Sequence, residues 1–185
     1  WDQLFTDLEA QADALAAQQR AGEVGELVRA ELARLALVDR LRAAIGTVLS
    51  VGCLGGARIS GVAARVGPDW LLLDDRDGRE IVLALASVSS VSGLGRATTP
   101  AGSAGPVGAR LGLRSVLRGI GRDRSLVSLQ LVDGSRLDGT IDRVGADFLE
   151  LATHPGGEFR RRGEVRDVPA VPLTAIALVR RQAAG

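Results

Sequence analysis

The sequence predicts an α+β chain: a helical N-terminus over residues 1–46, followed by two small β-barrels, each preceded by a helix. Three observations carry this. One stretch of sequence occurs twice, apolar residues inside each copy alternate in strand fashion between turn formers, and a Gly/Pro-rich run separates the copies. The implied division is 1–46 helices, 47–93 first barrel, 94–107 flexible linker, and 108–185 helix plus second barrel.

The duplication is the most informative of the three. Gly56–Leu73 reads GARISGVAARVGPDWLLL and Gly134–Leu151 reads GSRLDGTIDRVGADFLEL. Laid over each other without gaps they share Gly56/Gly134, Arg58/Arg136, Gly61/Gly139, Arg65/Arg143, Val66/Val144, Gly67/Gly145, Asp69/Asp147, Leu71/Leu149 and Leu73/Leu151, with Trp70 opposite Phe148. Outside this core Leu49, Val51 and Cys53 match Val127, Leu129 and Leu131, and Leu85, Val88 and Val91 match Leu173, Ile176 and Val179. Ile45-Gly46 matches Ile120-Gly121, so a helix is expected before each copy.

Within a copy, Val127, Leu129 and Leu131 share one side of a strand, and Asp133-Gly134 supplies the backbone of a tight turn. Leu137 and Ile141 continue the buried face beside exposed Arg136, Asp138, Thr140 and Asp142; Gly139 between them allows a sharp bend. Val144–Asp147 turns the chain into a third strand over Phe148–Leu151, and a last strand runs near Pro172–Val179. Short strands, tight turns and one bent strand indicate a barrel.

Ahead of the repeats, Trp1, Leu4, Phe5, Leu8, Ala12 and Leu15 recur at three and four, a narrow apolar stripe on an acidic helix that Gly22 and Gly25 interrupt. A second helix is expected from about Val24 to Ile45. From Gly93 to Gly108, GLGRATTPAGSAGPVG reads as a flexible linker.

Charge and composition narrow the function. All 23 cations are Arg, and the formal net charge of +1 gives no general polyanion binder. Residues 1–39 carry eight acids against three Arg, while Arg110, Arg114, Arg118, Arg122 and Arg124 crowd a short stretch with only Asp123 among them. Cys53 has no second Cys to bridge to, and with His154 it falls short of a zinc ligand set, so no metal or cofactor is expected. The absence of a secretory pattern and of a long apolar run places the protein in the cytoplasm, away from membranes. The start at Trp1 rather than Met implies a short preceding piece.

At Leu126–Leu151 the run LVSLQLVDGSRLDGTIDRVGADFLEL resembles the first signature of the Sm-like family, which includes Hfq, and VPLTAIALV at Val171–Val179 resembles its second. The resemblance covers both repeats and implies an SH3-type barrel of five strands behind a helix, in proteins that form rings and bind RNA. The residues that bind RNA in that family are not matched: Gly145 and Leu149, like Gly67 and Leu71, stand where an Asp and an Asn would be expected, and neither second signature holds Arg-Gly. The chain also resembles an actinobacterial family often labelled Fis-family transcriptional regulators, through ARLGLRSVLRGIGRDRS. That run lacks the partner helix of a helix-turn-helix and leads directly into a strand.

The candidate binding residues form three groups. Arg110, Arg114, Arg118 and Arg122, four apart, make a helical ridge opposite Leu113, Val116, Leu117 and Ile120; with Arg124 they suit phosphates, an acidic protein surface or plain solvent. Arg160, Arg161, Arg162 and Arg166 form a basic arm that the first copy lacks, able to clamp RNA or simply solvated. Trp1, Leu4, Phe5, Leu8 and Leu15 form a helix face for a partner or for the chain's own barrels. Trp70 and Phe148 could stack bases, but their equivalence favours core packing. Asp74, Asp75 and Asp77 are explained by a hairpin turn, and Cys53 by burial. With no nucleophile–base pair or phosphate-binding Gly loop in sight, the expectation is a non-enzymatic assembly or adaptor protein, a homo-oligomer or one with a protein partner; the alternative is an RNA- or DNA-binding regulator.

Overall fold

A computed structural model describes residues 32–99, 111–153 and 167–181. Both repeat copies lie in one compact unit, Leu37–Gly185. The first copy contributes α1 (Leu37–Ala43), β1 (Val48–Cys53), β2 (Arg58–Val66), β3 (Trp70–Asp74), β4 (Glu80–Ala84) and β5 (Val88–Ser92). The second contributes α2 (Leu113–Arg122), β6 (Leu126–Leu131), β7 (Arg136–Val144), β8 (Phe148–Thr153), β9 (Ala170–Pro172) and β10 (Ile176–Arg181).

The duplication is real at the level of register. Gly61 stands opposite Leu49 and Gly139 opposite Val127, and the β2–β3 and β7–β8 ladders slip at matching places, Ala63/Arg65 and Ile141/Arg143. Both glycines are required by close approach: a Cβ at Gly61 would meet the Asp74 carbonyl oxygen at 2.5 Å, and one at Gly139 the Ala152 carbonyl oxygen at 2.3 Å. Short 3₁₀ turns, Leu85–Ser87 and Leu173–Ala175, separate the fourth and fifth strands of each copy. Their first N–H groups donate to Asp69 and Asp147 respectively, at 2.9 and 2.7 Å.

The expectation of two closed barrels is overturned. The ten strands form one continuous antiparallel sheet in the order β5-β1-β2-β3-β4-β10-β6-β7-β8-β9. In each copy the 3₁₀ turn carries the fifth strand back to the first, so the fourth strand keeps an open side. In the first copy β10 fills it, with Leu178 opposite Leu83, Val179 opposite Val82 and Arg180 opposite Ile81. Alternation describes each strand correctly but is silent on which strand the fourth one pairs with.

The seam between the copies is also where two cores interlock. Ile81 and Leu83 of β4 and Ala177 and Leu178 of β10 pack in the core of the first copy. Trp70, Val82 and Ala84 of the first copy join Leu117, Leu129, Leu149, Ile176 and Val179 in the core of the second. Each copy's core is therefore completed by residues of the other.

Smaller expectations also change. The helix expected from Val24 to Ile45 is broken at Leu35-Ala36, and α1 covers Leu37–Ala43; residues 1–31 lie outside the described residues. Thr140, expected on the exposed face, is buried. The positive φ of Gly46 (85°) reappears at Arg124 (51°), not at Gly121, which sits inside α2. The expected hairpin at Asp74–Asp77 is present: the Asp75 carboxylate accepts the N–H groups of Asp77 and Arg79 at 2.8 and 2.9 Å.

Candidate assembly surface

The seam has three parts that lock the first copy to the second. The β4–β10 ladder is the first. The second is the Asp69 carboxylate, which accepts the backbone N–H of Leu113 at 2.8 Å, satisfying a donor at the start of α2. The third is Trp70, whose indole N–H donates to the Leu111 carbonyl at 2.7 Å while its ring lies over Gly67, where a Cβ would come within 2.1 Å of Nε1. A glycine before each aromatic is thus a platform: Gly145 holds Phe148 in the same way.

The same parts recur at the two ends of the sheet, without partners among the described residues. β9 is the counterpart of β4, and β5 the counterpart of β10; these two strands are the sheet's open edges. Trp70 is 5% exposed at the seam and its counterpart Phe148 is 36% exposed at the β9 end. Leu113, which starts α2 at the seam, is 6% exposed, whereas Leu37, which starts α1 at the β5 end, is 44% exposed.

Backbone parity makes the two edges complementary. Leu151 and Thr153 of β8 donate to the carbonyls of Pro169 and Asp167, so Asp167 and Pro169 face β8 and the alternate residues Val168 and Ala170 turn their N–H and C=O groups to the open side. Cys53 of β1 donates to Ala57, and Ala63 of β2 donates to Thr47 just ahead of β1, so Leu49, Val51 and Cys53 face β2, while Ser50 and Gly52 face Ser92 and Ser90 of β5. Val91 therefore faces outward. Ala170 is the counterpart of Val82, and Val91 that of Val179, the pair that meets at the seam. β9 is otherwise a restrained edge: Pro172 lacks an N–H, and the N–H of Val168 is taken by the Asp167 carboxylate at 2.8 Å.

Of the sequence-derived candidates, Arg114, Arg118 and Arg122 lie exposed on α2, opposite buried Leu113, Leu117 and Ile120. Arg118, Arg122 and Arg124 line one depression together with Arg143 and Asp142 of β7. Arg143, which the sequence did not single out, also meets the Glu150 carboxylate at 2.8 Å. Arg110, Arg160, Arg161, Arg162, Arg166 and His154, and the stripe of Trp1, Leu4, Phe5, Leu8 and Leu15, lie outside the described residues. Trp70 is a packing residue of the seam. Cys53 is buried, and burial pushes its thiol pKa up, opposed in part by a hydrogen bond with Ser87. No group of three metal-binding side chains occurs among the described residues, and no helix among them is long and apolar enough to cross a membrane.

Comparison with protein-family models, with curated proteins and with solved structures finds no match to this chain.

Proposed function

We propose that this protein is an assembly module that associates end to end, the β9 edge of one copy receiving the β5 edge of the next. One observation carries the reading: Trp70, buried at the internal seam, has as its counterpart in the repeat Phe148, exposed at the β9 end, and the first residue of α2, Leu113, is buried at the seam where the first residue of α1, Leu37, is exposed. The outward pair Ala170 and Val91 would repeat the register of Val82 and Val179. A contact of this kind is heterologous, so it closes into a ring or grows as a filament according to the rotation at each step. Burying the exposed parts of Phe148 and Leu37, 36% and 44%, would favour association by about 1 kcal/mol each before the cost of immobilisation.

Light scattering across a concentration series tests this. The expected result is a mass above that of one chain, lowered by Ala170→Pro, which removes the outward N–H of β9. A single-chain mass at every concentration would refute the reading.

A second reading is polyanion binding in the depression lined by Arg118, Arg122, Arg124 and Arg143. What favours it is Arg124, a non-glycine residue at φ 51°, a conformation that costs roughly 1–2 kcal/mol yet sets a fourth guanidinium beside the other three. It requires RNA or DNA binding that weakens steeply with salt and is lost in Arg118→Glu/Arg122→Glu.

A further inference from the structure

A cleft of about 800 Å³ lies between α1 and α2 on the face of the sheet that spans the seam. Its volume falls in the range of small-molecule sites. Trp70, Leu72, Ile45, Leu111, Val116 and Ile120 supply the apolar part of its lining. Five charged residues line it: Arg42, Arg65, Glu80, Asp123 and Arg181.

The charges do not cancel evenly. Glu80 and Asp123 are both held by Arg181, at 3.2 and 3.1 Å. Arg42 gives Nη1 to Asp39 at 3.0 Å, and its Nε is buried, without a hydrogen-bond partner among the described residues. Arg65 is exposed and meets no carboxylate among the described residues.

The repeat provides an internal control for Arg65. Its counterpart Arg143 stands opposite Glu150 across the ladder and forms an ion pair with it at 2.8 Å. Arg65 stands opposite Leu72 in the same register. The copy that borders the cleft thus carries an apolar side chain in place of the acid, leaving a guanidinium beside an apolar wall.

We infer that this cleft is a binding site for a small amphiphilic carboxylate, its apolar body against Trp70, Leu72 and Val116 and its carboxylate on the guanidinium of Arg65. A guanidinium pairs well with a carboxylate, and the partly enclosed apolar setting strengthens that pair relative to water. The site lies within one chain and does not depend on end-to-end association.

The test is calorimetric titration of the full chain with dodecanoate below its critical micelle concentration, with dodecanol as the uncharged probe. The site predicts saturable binding of dodecanoate, at least tenfold weaker for dodecanol. Leu72→Glu, which gives Arg65 the partner Arg143 has, and Arg65→Gln should each weaken dodecanoate at least tenfold, whereas Glu150→Leu should leave it unchanged. The unfolding transition of each variant shows that it is folded, and Arg65→Gln, at an exposed position, carries the test if Leu72→Glu does not fold. No binding by the natural chain, or equal affinity in Arg65→Gln, would overturn the proposal, as would a cleft that takes a partner's helix but no carboxylate.

Discussion

The indole N–H of Trp70 donates to the carbonyl oxygen of Leu111 at 2.7 Å, tying the third strand of the first repeat to the residue that leads into the helix of the second. Trp70 is buried in the second repeat's core, so this bond is made where water does not compete freely. Trp70→Phe keeps most of the apolar contact and removes the donor. Denaturant unfolding should show a loss of about 1–3 kcal/mol, and Trp70→Ala a loss of about 3–5 kcal/mol.

Asp69 and Asp147 occupy matching turns, yet the Asp69 carboxylate caps α2 through the Leu113 N–H. Asp69→Ala should cost about 0.5–2 kcal/mol, the range for a lost helix cap. Asp147→Ala, measured on the dissociated single chain, should stay within about 0.5 kcal/mol, as for a surface change. Equal losses would mean that the seam does not distinguish the two copies.

Three glycines separate close approach from mere flexibility. A Cβ at Gly61 or Gly139 would press on a backbone carbonyl of the next strand, which cannot swing away. Gly61→Ala and Gly139→Ala should each destabilise by about 1–3 kcal/mol or more. Gly119, inside α2, has nothing within 4 Å of where its Cβ would be, so Gly119→Ala should stabilise by up to about 1 kcal/mol. Thermal unfolding of the three variants checks the signs.

Burial raises the Cys53 thiol pKa above its ordinary 9.0. The folded state therefore prefers the neutral thiol: its contribution is fully present below the unfolded pKa and is lost as pH rises through the folded one. Stability should be insensitive to this group near neutrality and fall above about pH 9 more steeply than in Cys53→Ala. In the native protein the thiol should react with a disulfide reagent far more slowly than in denaturant.

Much of the local structure could be read from the residues. Gly61 and Gly139 fall at matching places in β2 and β7, and the match of Leu85, Val88 and Val91 to Leu173, Ile176 and Val179 carries over to equivalent last strands, β5 and β10. The continuity of the sheet was not legible, because a strand's alternation fixes which side chains are buried and says nothing of what lies beyond its open edge. The seam therefore appeared as two closed units. The repeat makes Trp70 and Phe148 equivalent packing residues in sequence, whereas the seam covers one and leaves the other 36% exposed. The place of Arg143 beside the α2 arginines comes from tertiary packing and leaves no mark in sequence spacing.

End-to-end association places Val91 of one copy opposite Ala170 of the next, in the register of Val179 and Val82. Facing residues of a hydrogen-bonded antiparallel pair lie about 5.5 Å apart at Cα, within reach of a disulfide. Mild oxidation of the double variant Val91→Cys/Ala170→Cys, with Cys53→Ala, should produce disulfide-linked multimers on a non-reducing gel that collapse to one band on reduction, and Val82→Cys/Val179→Cys should close within a single chain. A double variant that stays a single chain while the internal control bridges would contradict end-to-end assembly.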